Sequence, residues 1–238
     1  MADGFRFASV GIGLQHVLYV SYLVPAERVR PHVPDILPLA VRSDDSVFVS
    51  VVVLKSKLDG LSYLPGPFLP YDQVNLRTYV VDPRTGGPAV YFFRSAVKSR
   101  IVAGLTRLVG LGWEHGRFNI RLISEARAGR VRHTTTGDWH GRLQIEASVA
   151  LEEDAEKEMD GSADVVKHLT GPLVGYYGTK RFGIWHPPLR PTQAHVESIR
   201  FDLLASSGLV DPGRIAEPDS VLAVAESRFR IYLPPTRV

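Results

Sequence analysis

Cysteine is absent from the 238 residues, which excludes a disulfide framework, a thiolate zinc site and a cysteine nucleophile, and agrees with a cytoplasmic protein. No apolar run approaches the length that spans a bilayer, and the opening MADGFRFASV lacks the basic start and apolar core of a signal peptide, so no membrane partner is expected. Lysine is scarce: six of the 28 basic residues are lysine, and the arginines stand singly along apparent strands. The pI near 9.2 and formal net charge of +3 therefore read as a solvated surface, and no nucleic-acid partner is expected. The eight histidines show no metal-ligand spacing and no Gly-x-Ser-x-Gly elbow is present, so no metal, cofactor or serine hydrolase is implied. Gly11-Ile12-Gly13 starts like a dinucleotide loop, but His16 stands where the third glycine belongs and a strand follows. Repeats and low-complexity tracts are also missing. Residues 1–238 read as one domain.

The stretch Tyr71–Ser95, YDQVNLRTYVVDPRTGGPAVYFFRS, organises the remainder. Val74, Leu76, Thr78 and Val80 alternate with Gln73, Asn75, Arg77 and Tyr79, the signal of a strand. Ala89–Ser95 returns as a second strand after a loop built on Pro83, Gly86 and Gly87. Side chains two apart share a face, so Gln73, Asn75, Arg77 and Tyr79 project together. Pattern alone favours a solvated face for such a row. Two amides, a guanidinium and a phenol nonetheless carry fixed, directional donors and acceptors, and suit a ligand.

Elsewhere Leu14–Val24 reads as a strand, Pro25 opens a short helix with Val29 and Val33 inward, and the apolar Val47–Leu54 is a strand covered on both faces. Leu58–Pro70, with three prolines and two glycines, reads as a loop. Ile101, Leu105 and Leu108 mark an amphipathic helix over Ser99–Val109. Trp113–Ile123, Arg130–Thr136, Arg142–Leu151 and Val221–Leu233 are strands, and Gln193–Ser207 is a helix or a strand running into one. The acidic run Glu152–Asp160 reads as exposed chain, and Ser162 as the N-cap of a helix through Leu169. The class is α+β, with a large, mostly antiparallel sheet and a few helices.

Tyr22-x-x-Pro25, Val33-Pro34, Asn75-x-Arg77-Thr78-Tyr79-Val80, Val90-Tyr91-Phe92-Phe93, Gly110-Leu111, His186-Pro187-Pro188, Leu203-Leu204 and Gly208-Leu209 follow one another over nearly the whole chain. In this ordered set the sequence resembles the acetoacetate decarboxylase-like superfamily, and more closely its YqjF-like branch of unknown function. The resemblance implies a strongly curved antiparallel sheet closing into a cone-shaped barrel, with peripheral helices and a small-molecule pocket. It also implies that the Gln73, Asn75, Arg77 row faces that pocket. Decarboxylases of the superfamily use a Schiff-base lysine in a Gly-Phe-Pro-Lys-Lys segment, where this chain has Gly110-Leu111-Gly112-Trp113-Glu114. Gln73 replaces a usual glutamate, and Thr170-Gly171-Pro172-Leu173 replaces the branch's Thr-Glu-Arg-Tyr. Acetoacetate decarboxylation by the parent mechanism is not expected.

Glu114 and His115 occupy the lost lysine's site and are the candidate acid–base residues, although neighbours on a strand face opposite ways and a surface pair is an equal reading. Gln73, Asn75, Arg77, Tyr79, Trp113, His16 and His186 are the candidate ligand contacts. Two functions remain. One is an enzyme acting on a carboxylated or polyketone-like carbonyl substrate by acid–base or orientation chemistry without a Schiff base, of aldol, dehydration or cyclisation type. The other is a non-catalytic small-molecule-binding barrel. Homo-oligomerisation is left open.

Overall fold

The first half of β2 (Ser46–Leu61), Val47–Leu54, is apolar on both faces, so it needs a packed layer on each side, and the architecture supplies two. The computed structural model describes residues 8–61, 64–125, 129–150 and 163–237. Around β2 the chain forms β1 (Ala8–Pro25), α1 (Ala26–Val29), β3 (Leu64–Val81), β4 (Pro88–Val97), α2 (Arg100–Leu108), β5 (Glu114–His115), β6 (Arg117–Glu125), β7 (Arg130–Asp138) and β8 (Arg142–Ala150). It continues through α3 (Ala163–Thr170), β9 (Val174–Tyr177), β10 (Lys180–Trp185), β11 (Thr192–Phe201), α4 (Asp202–Ser206), β12 (Ser220–Leu233) and β13 (Thr236–Arg237). The strands form one mostly antiparallel sheet in the order β13-β10-β9-β4-β3-β2-β1-β12-β11-β8-β7-β6, with β5 beside β4. A pairing of β10 with β12 through Ile184↔Ile231 and Trp185↔Arg230 curls the central strands into a ring of seven. The expected α+β class and closing sheet are observed.

Val47, Val49, Val51 and Val53 point outward from the ring and pack beneath β6, β7, β8 and β11 with Phe118, Leu143 and Ile145. Phe48, Val52 and Leu54 point into it and meet Tyr19, Trp113 and Phe182. The inward phase of β1 is reset once. Ile12 and Leu14 belong to the inner cluster, then Val17 and Tyr19, because His16 adopts φ 53° at a register shift between Gln15 and Leu18. Such a bulge inserts one residue and restores the pleat on its far side.

Leu58–Pro70 departs from the expected loop. Its described parts are strand, the ends of β2 and β3 paired through Leu58↔Leu69, Gly60↔Pro65 and Leu61↔Leu64. β4 pairs with β3 only from Gln73 onward, so Pro65, Pro67 and Pro70 lie where β3 has one neighbour and a missing N–H is tolerated. The helix expected over Ser99–Val109 forms as α2, capped by Ser99, but the buried face is Val102, Ala103 and Thr106, and Ile101, Leu105 and Leu108 are exposed. β9 and β13, four and two residues long, are too short to show a pattern. The acidic run Glu152–Asp160 and Ser162 lie outside the described residues. No described helix is long and apolar enough to cross a membrane.

The short strands β9 and β10 are tied to the β3–β4 loop by a buried ion pair. Arg181 Nη2 lies 2.7 Å from Asp82 Oδ2. Tyr176 donates to Oδ1 at 2.6 Å, Thr85 to Oδ2 at 2.8 Å and the Arg84 N–H to Oδ1 at 3.1 Å. Burial works to raise the Asp82 pKa, and the hydrogen bonds from Arg181, Tyr176, Thr85 and Arg84 outweigh it, holding the carboxyl well below its ordinary value. A depressed carboxyl pKa stabilises the fold above the unfolded-state value near ~4, and that contribution is lost as pH falls from there toward the folded value. Asp82→Asn should cost about 3–5 kcal/mol in urea unfolding at pH 7, since it leaves Arg181 buried beside a neutral amide. The gap to wild type should narrow below pH ~4. A gap independent of pH down to acid unfolding would show that the pair does not stabilise the ring.

Candidate active site in the ring

The inner cluster leaves a cavity of about 80 Å³, room for about five to eight water-sized groups. Its wall is largely aliphatic and aromatic, and the polar exceptions come chiefly from β3: Gln73, Asn75 and Arg77. These positions pair with Val97, Ser95 and Phe92 of β4 across a register shift after Leu76, where the extra residue Phe93 lets Phe92 face inward beside Arg77. Gln73 Nε2 donates to Asn75 Oδ1 at 2.9 Å, which orients both amides.

Arg77 is the one residue of the row that is not fully buried. Its Nη2 donates to the Tyr79 hydroxyl at 3.1 Å and to the Leu169 carbonyl at 3.0 Å, and its Nε is buried with no hydrogen-bond partner among the described residues. The guanidinium carbon lies 5.1 Å from the ring centroid of Tyr19 and 5.4 Å from that of Tyr79. Burial disfavours its charge, but the neighbouring hydroxyls of Tyr79 and Tyr19 more than offset this, so its pKa is raised. Among the described residues lining the cavity, no aspartate, glutamate, histidine or lysine accompanies it. The site is a mostly apolar chamber whose described lining carries a single permanent positive charge.

The structure thus gathers Gln73, Asn75, Arg77 and Trp113 on one wall. Tyr79 shares their strand face but stands one layer away, buried, where it accepts from Arg77 and donates to the Leu169 carbonyl at 3.2 Å. His186 reaches the cavity only through Phe229, on which it stacks with centroids 4.5 Å apart. His16 sits at the bulge between the lining residues Leu14 and Val17 without lining the cavity itself, and its carbonyl faces His133 Nε2 at 3.3 Å.

Glu114 and His115 lie elsewhere, in an open surface cleft with Trp139 and His140. Parallel pairing of β5 with Ala96 and Val97 leaves Trp113, just before β5, as the residue that enters the ring. Glu114 accepts from Arg94 at 3.0 Å and from Trp139 Nε1 at 3.1 Å, and His140 Nε2 lies 2.5 Å away. Partial burial works to raise its pKa, and the contacts with His140, Trp139 and Arg94 prevail and lower it. It is a tethered carboxylate on the outside of the wall.

Sequence reasoning missed Tyr19, Tyr177 and Phe182, which also line the chamber. Tyr177 donates to Ser95 Oγ and stacks on Phe92, with centroids 5.0 Å apart. Burial pushes the pKa of its hydroxyl above the ordinary phenol value, so it stays a neutral donor. Tyr19 lies past the bulge at His16, which alternation counted from Leu14 does not reveal, and Tyr177 belongs to the four-residue β9.

A family model described as an uncharacterized conserved protein (COG2071), DUF2071, matches residues 12–228. An acetoacetate decarboxylase-like enzyme from Sphingomonas wittichii RW1 is similar in structure, with a TM-score of 0.62 and 14% identity over 100% of this chain and 99% of that one. The enduracididine biosynthesis enzyme MppR complexed with pyruvate aligns with a TM-score of 0.59 and 13% identity, covering 99% and 92%. Acetoacetate decarboxylase from Legionella pneumophila aligns with a TM-score of 0.58 and 12% identity, covering 96% and 87%. No curated protein matches the sequence. At these identities the likeness establishes the fold.

A Schiff base needs an amine within bonding distance of the substrate carbonyl. Lys98, the lysine nearest the Phe92-Phe93 strand, is exposed and hydrogen-bonded to Asn119 outside the ring. Borohydride reduction with acetoacetate or pyruvate should leave the protein mass unchanged. A stoichiometric adduct on Lys98 would overturn this.

Proposed function

This chain belongs to the DUF2071 family, and for it we propose the binding of a small, largely apolar carboxylate or enolate inside the ring, anchored by Arg77. The observation that carries the reading is an arginine on the wall of a mostly apolar cavity with, among the described residues, no carboxylate beside it and a buried Nε that lacks a partner. Burying an unpaired cation is costly, and an anionic ligand oxygen relieves that cost while accepting directed hydrogen bonds. The cavity's size restricts the ligand to a few heavy atoms beyond the carboxylate. The fold-related MppR is described in complex with pyruvate, a molecule of that class.

Chemistry on such a ligand would rest on orientation, with Arg77 holding the carboxylate and Gln73 and Asn75 fixing the carbonyl. Gln73 can hydrogen-bond but cannot take a proton, and Glu114 and His115 do not line the chamber. The same lack of a carboxyl, imidazole or amine on the described lining favours a second reading, a binding barrel without turnover.

Native mass spectrometry of the purified protein should show a retained small acid, and Arg77→Leu should lose it. Loss of one to two charge-assisted hydrogen bonds corresponds to about 10- to 100-fold weaker binding. Unfolding midpoints should change little, because leucine removes an unpaired buried charge. Arg77→Lys should recover binding only in part, lacking the planar fork. Equal affinity in wild type and Arg77→Leu would refute the anchor. Following the identified acid by NMR with the protein then separates the two readings: conversion shows an enzyme, and persistence a binder.

A further inference from the structure

On the outside of the same wall, a cleft of about 490 Å³ opens between the ends of β2 and β3, the edge of β6 and the start of α2. Lys55, Lys57, Lys98 and Arg121 line it, and Asp72 is the one carboxylate among the described lining residues. That carboxylate is already engaged: Lys55 Nζ lies 2.9 Å from its Oδ1, and the Ile120 N–H donates to its Oδ2 at 3.0 Å. Lys55 also donates to the Ile120 carbonyl at 3.1 Å, so its ammonium is fixed in place. Lys98 is held by Asn119 Oδ1. Among the described residues, neither Lys98 nor Arg121 forms an ion pair with a carboxylate. Ser99, the N-cap of the nine-residue α2, also lines the cleft, so the positive end of that helix opens beside the cations.

We propose that this cleft binds the phosphate group of a small molecule. Lys98 and Arg121, with no carboxylate partner among the described residues, stand beside the Lys55–Asp72 pair in a chain whose entire formal charge is +3, and concentrate positive potential in one concave place. A phosphate dianion matches this arrangement through the point charges of the lysines, the planar fork of Arg121 and the positive end of the α2 dipole. The cleft is distinct from the chamber: Tyr71, buried, lies between them, lining the cleft and standing 6.3 Å, ring to ring, from Trp113 on the chamber wall. The proposal therefore stands independently of what the chamber holds.

The test is a titration followed by ³¹P NMR and calorimetry at constant ionic strength, using inorganic phosphate, pyrophosphate and adenosine monophosphate in turn. Wild type should bind, and the double variant Lys98→Ala, Arg121→Ala should bind at least about tenfold more weakly, the loss expected from one or more charge-assisted contacts. Both side chains are exposed, and circular dichroism will verify that the variant is folded. Arg77→Leu should leave phosphate affinity unchanged, which separates this site from the chamber. Tighter binding of the nucleotide than of inorganic phosphate identifies a phosphorylated organic ligand, and equal affinity a free phosphate site. Equal affinity in wild type and double variant overturns the proposal. So does preferential binding of a duplex oligonucleotide, which would make the patch a nucleic-acid surface.

Discussion

The Asp82–Arg181 pair holds closed a ring whose hydrogen-bond ladders are thin at the seam. β4 meets β9 through Val90↔Gly175 and Tyr91↔Tyr176, and β10 meets β12 through two residue pairs. Ladders this short lend little cooperativity, so the strands need another reason to stay. It comes from a carboxylate at the hairpin loop that gathers a guanidinium and a phenol from β9 and β10 along with two groups of its own loop. An ion pair so buried is weak evidence of net stability against an apolar substitute. Its physical effect is directional: it fixes where β9 and β10 sit, and with them Tyr177 and Phe182 on the chamber wall.

With the ring closed, Arg77 becomes the term that sets the chamber's character. The tyrosines around it supply π-faces and hydroxyls, and the Leu169 carbonyl takes one hydrogen bond. These neutral groups solvate a cation without neutralising it, and so preserve the field that an anionic ligand would meet. A glutamate at position 73, the residue that the family resemblance leads one to expect, would stand two positions along the same strand face and quench that field. Gln73 retains the hydrogen-bonding capacity and removes the charge.

Much of the frame was legible because alternation is a local property. The two-faced burial of Val47–Leu54, the β3–β4 hairpin and the strand-to-helix passage from β11 into α4 all follow from patterns contained within one element. What failed depended on neighbours far along the chain. The prolines of Leu64–Pro70 looked like loop because their tolerance rests on β4 having already ended, and α2 was assigned its exposed side because the smaller Val102 and Ala103 fit against the ring. Within the site, the row from Gln73 to Arg77 could be read as a unit. Glu114 and His115 could not be placed, since the position of the short β5 beside β4 decides that Trp113 enters. The bulge at His16 is similarly hidden in sequence, and it determines that Tyr19 faces Arg77.

The two polar sites, one inside the ring and one outside, arise from the same strands through the pleat. Leu54 and Gln73 face the chamber while their successor and predecessor, Lys55 and Asp72, face the cleft; Val97 packs inward while Lys98 lies outside. Successive side chains on a strand point to opposite faces, so a one-residue slip of β2 against the interior would send Lys55 into the apolar ring and expose Leu54. The engagement of Asp72 by Lys55 and by the backbone of Ile120 opposes that slip, because it binds β2 and β3 to the otherwise free edge of β6. The contact that ties β2 and β3 to this edge thus also keeps the cationic side chains on the outer face and the chamber free of lysine.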